Sequence, residues 1–461
     1  MAWTFAPART AAVTVAFASL VVASSLRAQD VFTAIEPAPL TLADGSRHTE
    51  TEADLPPPAE GPSSSTNLSD PKNPTPSIEI RNNDSGISAT PHRFQYALRL
   101  TIRGVYDDNI FLSESNPVSD YYVAIEPGLT LGFGDIVGRQ ENYIRFDYAP
   151  SIFIFADHSD SNGVQHLFRL EGQHRFSKLT LNFSQDIQLL EGSNLTTTTS
   201  TTTGTPALNL DAGGNANVNV FTTIANFSYD LSGKTFVSGG MQYNAWDYEN
   251  NLISSSSISG NLFINYNYSP KLVVGVGGTF GYNWVDEPSP NQTFEQINAR
   301  ATYQVTGKIS LNASLGVEFR QIENNPDSDH VSPVYELGMT YQPFDGTSLS
   351  LRGSRRTMNS AVFAEQDYAS TSIVFGARQR LLQRVFLGLT VGYENSDYFS
   401  TLDGVGATRT DDYFFVQPAV DVTVTRWFTV GAYYLHREND SGVGGFGFSD
   451  NQVGVRGSIT F

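Results

Sequence analysis

The chain has 461 residues, of which only 16% are charged and 12% aromatic, with 39 glycines and a formal net charge of −19. That acidity excludes a nucleic-acid partner, which needs a basic stripe, and the absence of cysteine excludes disulfides, thiolate chemistry and cysteine-held metals. The length allows two or three ordinary domains or one large all-β unit, and many Tyr, Phe and Gly with few charges suit pleated surfaces better than helices.

The amino terminus reads as an export signal. Arg9 precedes an apolar run over residues 11–23, and Ala28 offers a small residue for cleavage before Gln29. The run is shorter than the roughly 20 apolar residues a membrane helix needs. No later segment is apolar enough for such a helix, so any membrane embedding has to use strands. Residues 29–91 are rich in Pro, Ser, Thr, Asn and acidic residues and show no period. Such a segment buries too little apolar surface to offset its conformational entropy. The expected organisation is a signal peptide over 1–28, a disordered Pro/Ser-rich periplasmic arm over 29–91 and an outer-membrane β-barrel over 92–461.

From Arg93 onward, apolar and polar residues alternate. Phe94, Tyr96, Leu98, Leu100 and Ile102 oppose Gln95, Ala97, Arg99, Thr101 and Arg103. Tyr121, Val123, Ile125, Leu129, Leu131 and Phe133 oppose Tyr122, Ala124, Glu126 and Thr130, and Leu179, Leu181, Phe183, Ile187 and Leu189 oppose Thr180, Asn182, Ser184, Asp186 and Gln188. Period-two alternation gives a strand two unlike faces. About eighteen such segments follow one another, and short connections (SK, SGK, SPK, TGK) alternate with long polar ones to the end of the chain. The short ones carry the Gly, Pro or Asp that tight hairpins need. In the last segment Val453, Val455, Ile459 and Phe461 share one parity, interrupted by Gly457. An apolar closing strand ending on an aromatic residue resembles the assembly signal of bacterial outer-membrane barrels. The expected fold is all-β: a transmembrane antiparallel up-and-down β-barrel of about 18 strands, with short periplasmic turns and long extracellular loops.

Charge gathers on the other parity, where a lumen would be. The expected lumen-lining residues are Arg99, Arg103, Arg145, Arg169, Arg300, Arg320, Arg352, Arg356, Arg378 and Arg456, interspersed with Asp147, Glu171, Glu318 and Glu336. Arg456 belongs beside Arg99 and Arg103 once the last strand closes on the first, giving a wall that favours anions or saccharides. The alternative is that each arginine pairs with a neighbouring carboxylate and braces the wall. Tyr121, Tyr148, Trp246, Tyr268, Trp284, Tyr393 and Trp427 fall near strand ends, where interfacial girdles lie.

The opening hairpin, with Asp108, Asn109, Ile110 and Phe111 followed by Pro127 and Gly128 inside the next strand, resembles a family of bacterial β-barrel porins often encoded beside exopolysaccharide genes. The length from Phe94 to Phe461 agrees. The resemblance implies an outer-membrane location and a pore or export role, and it carries no catalytic residues.

No catalytic, cofactor-binding or metal site is expected. The seven histidines are scattered, and His166 and His174, which share a parity, fall on the lipid side. Asp107 and Asp108 offer oxygen ligands of the kind hard cations take, but read as solvated loop carboxylates. The Thr-rich run over 196–203 reads as a flexible polar loop. The leading function is a porin-like channel for passive passage of small hydrophilic solutes or saccharides, whose partners are outer-membrane lipid and the barrel assembly machinery. A structural or export-associated barrel of a surface-polysaccharide system comes second. An outer-membrane enzyme comes last.

Overall fold

The computed structural model describes residues 94–136, 142–192, 210–213, 216–249, 252–402 and 409–461. The expected signal peptide and arm, His48, His92 and the Thr-rich run lie outside the described residues.

Among the described residues nineteen strands follow in chain order: β1 (Phe94–Asp107), β2 (Asp120–Gly134), β3 (Tyr143–Tyr148), β4 (Ser151–Phe155), β5 (Gly163–Arg175), β6 (Leu179–Leu190), β7 (Val218–Asp230), β8 (Thr235–Tyr248), β9 (Ser255–Ser269) and β10 (Leu272–Val285). The remainder are β11 (Gln292–Thr306), β12 (Ile309–Ile322), β13 (His330–Tyr341), β14 (Thr347–Asn359), β15 (Gln366–Leu381), β16 (Val385–Ser400), β17 (Thr410–Thr423), β18 (Phe428–Ser441) and β19 (Phe448–Thr460). Apart from β3 and β4, which both pair with β2 and β5 and not with each other, each strand pairs antiparallel with its sequence neighbours, and β1 also pairs with β19, so the sheet closes on itself.

The wall has eighteen positions because β3 and β4 share one. Both lie between β2 and β5, and Leu129↔Tyr148 and Ile125↔Ile152 belong to a single register. Pro150 separates them. It has no N–H to donate, so the ladder lapses there and resumes without a slip.

The two faces divide as the alternation requires. Phe94, Tyr96, Ile102, Tyr121, Phe133, Val276, Ile297, Val453 and Val455 are exposed on the outer face, while Gln95, Thr101, Arg103, Asp107, Ala124 and Thr130 are buried inside. An apolar belt around a closed sheet leaves no unpaired backbone against hydrocarbon, the condition for spanning a membrane with strands. The protein is an outer-membrane β-barrel. The eight turns at one end are short, except for the β2–β3 connection, and the nine connections at the other end include the long ones. The barrel closes at the short-turn end. There Leu98 N donates to Phe461 O at 3.1 Å and Phe461 N to Leu98 O at 2.8 Å.

Trp246 corrects the girdle expectation. It packs with Tyr248 on the cluster formed by Leu167, Leu190, Val218 and Val220, on the lumenal side. Tyr121, Tyr268, Trp284, Tyr393 and Trp427 are exposed on the outer face. His166 and His174 are at opposite ends of β5, the first beside the stacked rings of Tyr148 and Phe168 and the second edge-on to Phe176.

Candidate channel and its inward-folded segments

The lumen has two unlike walls. Along β1, β2 and β17–β19, which flank the closure seam, inward side chains are packed nearly solid. Val105, Tyr122, Ala124, Tyr413, Phe415, Tyr433, Leu435 and Phe448 form one buried apolar cluster with Phe153 and Phe155 of β4. Small residues make room for these rings. A Cβ on Gly454 would come within 2.3 Å of the Tyr433 ring, and one on Gly392 within 2.1 Å of the Phe415 ring. Each aromatic ring therefore occupies the space above a glycine of a neighbouring strand. Tyr433 is thereby placed to accept a hydrogen bond from Arg103 Nη1 at 3.0 Å.

Along β8–β15 the inward face mixes buried side chains, such as Phe236, Phe263, Val273 and Arg320, with polar ones that remain partly exposed. They include Gln242, Asn244, Ser257, Ser259, Asn261, Thr279, Gln296, Ser314, Glu336, Arg352, Arg356 and Arg378.

Two connections fold into the barrel at its long-loop end. Between β1 and β2, Ile110 and Leu112 insert into the seam-side cluster. Asn109 holds this turn: its Nδ2 donates to Ser113 O at 2.9 Å and to Ser449 O at 3.0 Å, and its Oδ1 accepts from Ser113 N at 2.9 Å. The Asp-Asn-Ile motif thus ties the first loop to β19.

The second is residues 210–213, from the connection between β6 and β7. Leu210 joins the seam-side cluster. Asp211 Oδ1 accepts from Ser360 Oγ at 3.0 Å and from Tyr398 Oη at 2.8 Å, and its Oδ2 accepts from Ala361 N at 2.5 Å. Arg409 Nη1 and Nη2 donate to the carbonyls of Asp211 and Leu210, both at 3.0 Å. The same guanidinium grips Asp411, with Nη2 to Oδ2 at 2.6 Å, and is 3.8 Å from the centre of the Phe446 ring. Burial would lower the Arg409 pKa, but hydrogen bonding and charge from Asp411, with Tyr398 and Asp211, raise it overall. The residues gripping this segment come from β16 and from the connections before and after β15 and β16. They lie across the ring from β6 and β7, so residues 210–213 are held on the side of the mouth opposite the strands they connect.

Eight of the ten arginines are on the two walls, and Arg145 and Arg169 are on β3 and β5 between them. Arg103 is fully buried and donates to Glu126 Oε1 at 2.7 Å. Arg456 forks onto Asp421 at 2.8 Å. Arg145 binds Asp147 at 2.7 Å, Arg169 binds Glu171 at 3.2 Å, and Arg320 binds Glu318 at 2.9 Å. Arg99 is half-buried beside the seam, opposite Thr460. Arg300 donates to Asn265 at 2.8 Å and Ser238 at 2.5 Å while its guanidinium lies 4.1 Å from the Phe263 ring centre. Arg352, Arg356 and Arg378 are half-buried on the β8–β15 wall, Arg378 over Phe386. Arg103 and Arg456, along the seam, are therefore already held by carboxylates. Sequence reasoning missed Asp211, Arg409, Arg437 and the inward aromatics. Only the local Arg409-x-Asp411 spacing hinted at a pair.

Asp107 also corrects an expectation. It is fully buried against β19 rather than solvated in a loop, with Gln452 Nε2 donating to its Oδ2 at 2.9 Å.

No family model and no curated relative matches the chain. Solved structures similar in fold are outer-membrane proteins. OpdK of Pseudomonas aeruginosa, crystallised with vanillate, has 11% identity and a TM-score of 0.40, covering 79% of this chain and 99% of that one. OmpT of Vibrio cholerae has 12% identity and a TM-score of 0.35, covering 81% and 99%. OccAB4 of Acinetobacter baumannii has 11% identity and a TM-score of 0.39, covering 80% and 98%.

Proposed function

We propose that the protein is a passive outer-membrane channel for small hydrophilic solutes, saccharides among them. The observation that carries this reading is the row of partly exposed Ser, Asn, Gln, Thr and Arg side chains along the inner face of β8–β15. An eighteen-position barrel is wide enough to leave an aqueous bore unless something fills it, and here the seam side is filled while the far side is not. Residues 210–213 set the width of the mouth. Solutes pass without chemistry, by exchanging water for the hydroxyl, amide and guanidinium groups of this wall.

The reading includes export by the segment 1–28, a flexible periplasmic arm over 29–91, and insertion by the barrel assembly machinery through Val453, Val455, Ile459 and Phe461. A second reading, a closed barrel serving surface-polysaccharide export, is favoured by the packed seam and the inward-folded loops. Single-channel recording of the refolded chain in a planar bilayer separates the two. Stable ohmic current steps support the channel, and a silent bilayer containing folded barrel supports the closed scaffold.

A further inference from the structure

We infer that the long-loop end of the closure seam is a calcium site, built from Asp107 and Asp108 on the β1 side and Asp450 and Gln452 on β19. Asp107, Asp108 and Asp450 each bring a carboxylate oxygen within 4.8 Å of the others. Opposite ligands of a Ca²⁺ ion bound at 2.3–2.6 Å stand about 4.6–5.2 Å apart, so the three fit around one ion. Asp107 and Asp450 are fully buried, and Asp108 is partly so.

Charge and hydrogen bonding leave room for the ion. Arg437 Nε donates to Asp450 Oδ2. Three carboxylates and this one guanidinium sum to a formal charge of −2, in a place where unbalanced buried charge is costly. Asp450 Oδ1 is buried and has no hydrogen-bond partner.

Gln452 gives an independent indication. Its side chain is fully buried and reaches between the acids, with Nε2 2.9 Å from Asp107 Oδ2 and 3.3 Å from Asp450 Oδ2. Its Oε1 has no partner. An amide can be turned over, exchanging its oxygen and nitrogen. Turned over, Gln452 presents its oxygen to two carboxylates, an arrangement that a cation at their centre makes favourable. The site then offers oxygens from four side chains, and backbone carbonyls or water complete the shell of a hard cation.

The location gives the ion a role. Asp107 and Gln452 are register partners across the β1–β19 ladder, and Asp108 N donates to Asn451 O at 3.2 Å, where that ladder ends. Asp108 also accepts from Asn451 N at 2.7 Å and from its Nδ2 at 2.8 Å. Bound calcium clamps the first strand to the last at this end, as Leu98 and Phe461 join them at the other.

The test uses full-length chain refolded in detergent free of lipopolysaccharide and stripped with chelator. Equilibrium dialysis with calcium is expected to show one ion per folded chain, and added calcium is expected to raise the temperature at which the barrel unfolds on unboiled gels. Asp450→Asn and Asp108→Asn are each expected to weaken binding at least about tenfold and to abolish the thermal shift. Asp108, at the partly exposed edge, provides the variant that folds if Asp450→Asn does not. Asp412→Asn, an exposed carboxylate on β17, is expected to behave as wild type. No stoichiometric ion on the folded wild type, or binding that survives both Asp450→Asn and Asp108→Asn, would overturn the site.

Discussion

The wall made by β1, β2 and β17–β19 and the wall made by β8–β15 line one lumen and obey the same alternation of faces. On the first, Tyr122, Tyr413, Phe415 and Leu435 are sealed beneath two inserted loops, and Arg103 and Arg437 are fully buried. On the second, Ser257, Thr279, Ser314 and Arg378 remain partly exposed. Parity decides which way a side chain points. Whether that side is wet depends on what other parts of the chain place over it.

The sharpest way to break the comparison is to remove one guanidinium from each wall. Arg437→Ala strands the buried Asp450 and is expected to cost about 3–5 kcal/mol. Arg378→Ala loses a half-exposed group stacked on Phe386 and is expected to cost about 1 kcal/mol or less. Urea unfolding in lipid vesicles measures both, and equal losses would mean that the walls are packed alike.

Glycines offer a second contrast. Gly454→Ala drives a methyl into the Tyr433 ring and is expected to cost about 1–3 kcal/mol. Gly353→Ala, on the outward face of β14, whose new Cβ would meet Ser372 O at 3.6 Å, is expected to stay within about 0.5 kcal/mol. The same unfolding curves report both.

These contrasts show how far the sequence could be read. The outward row Tyr121, Val123 and Phe133 and the inward Arg145 and Asp147 were plain because each strand had one apolar and one polar parity. The reading failed where both parities are apolar. Tyr413, Phe414 and Phe415 are consecutive aromatics, yet only Phe414 faces outward. Trp246, near a strand end, looked interfacial but turned inward because Val218, Val220 and Leu190 gave it a dry surface. Asp107, Ile110 and Asp211 sit at the edge of a strand or in loops, where no period assigns a direction. Their burial follows from contacts with residues hundreds of positions away. Among the arginines, spacing placed Arg103 and Arg456 beside each other but could not show that Glu126 and Asp421 would claim them.

A smaller effect concerns the mouth. Asp211→Ala leaves Ser360, Ala361 and Tyr398 without their acceptor and is expected to weaken the anchoring of residues 210–213 by about 1–3 kcal/mol. Single-channel conductance should rise while global unfolding changes little. Unchanged conductance would remove residues 210–213 from the constriction.

Selectivity should show the smallest change. Replacing Arg352, Arg356 and Arg378 together by Gln is expected to shift the reversal potential modestly toward cations, because these groups stand on the hydrated wall within a Debye length of about 10 Å at 0.1 M salt. The triple change of Arg99, Arg103 and Arg456 is expected to shift it less, since Glu126 and Asp421 already balance two of them. The reverse order would place the path beside the seam.

The most direct measurement exploits the absence of native cysteine. Single cysteines are placed at Ser257 and Thr279 on the hydrated wall and at Thr101 and Ala124 beside the seam. Each folded channel is then exposed to a charged, water-soluble thiol reagent while current is recorded in a planar bilayer. Ser257→Cys and Thr279→Cys should react quickly and lose current stepwise, while Thr101→Cys and Ala124→Cys should stay unmodified with steady current. Equal reaction at all four positions, or folded barrels that pass no current before the reagent is added, would contradict a channel confined to the wall opposite the seam.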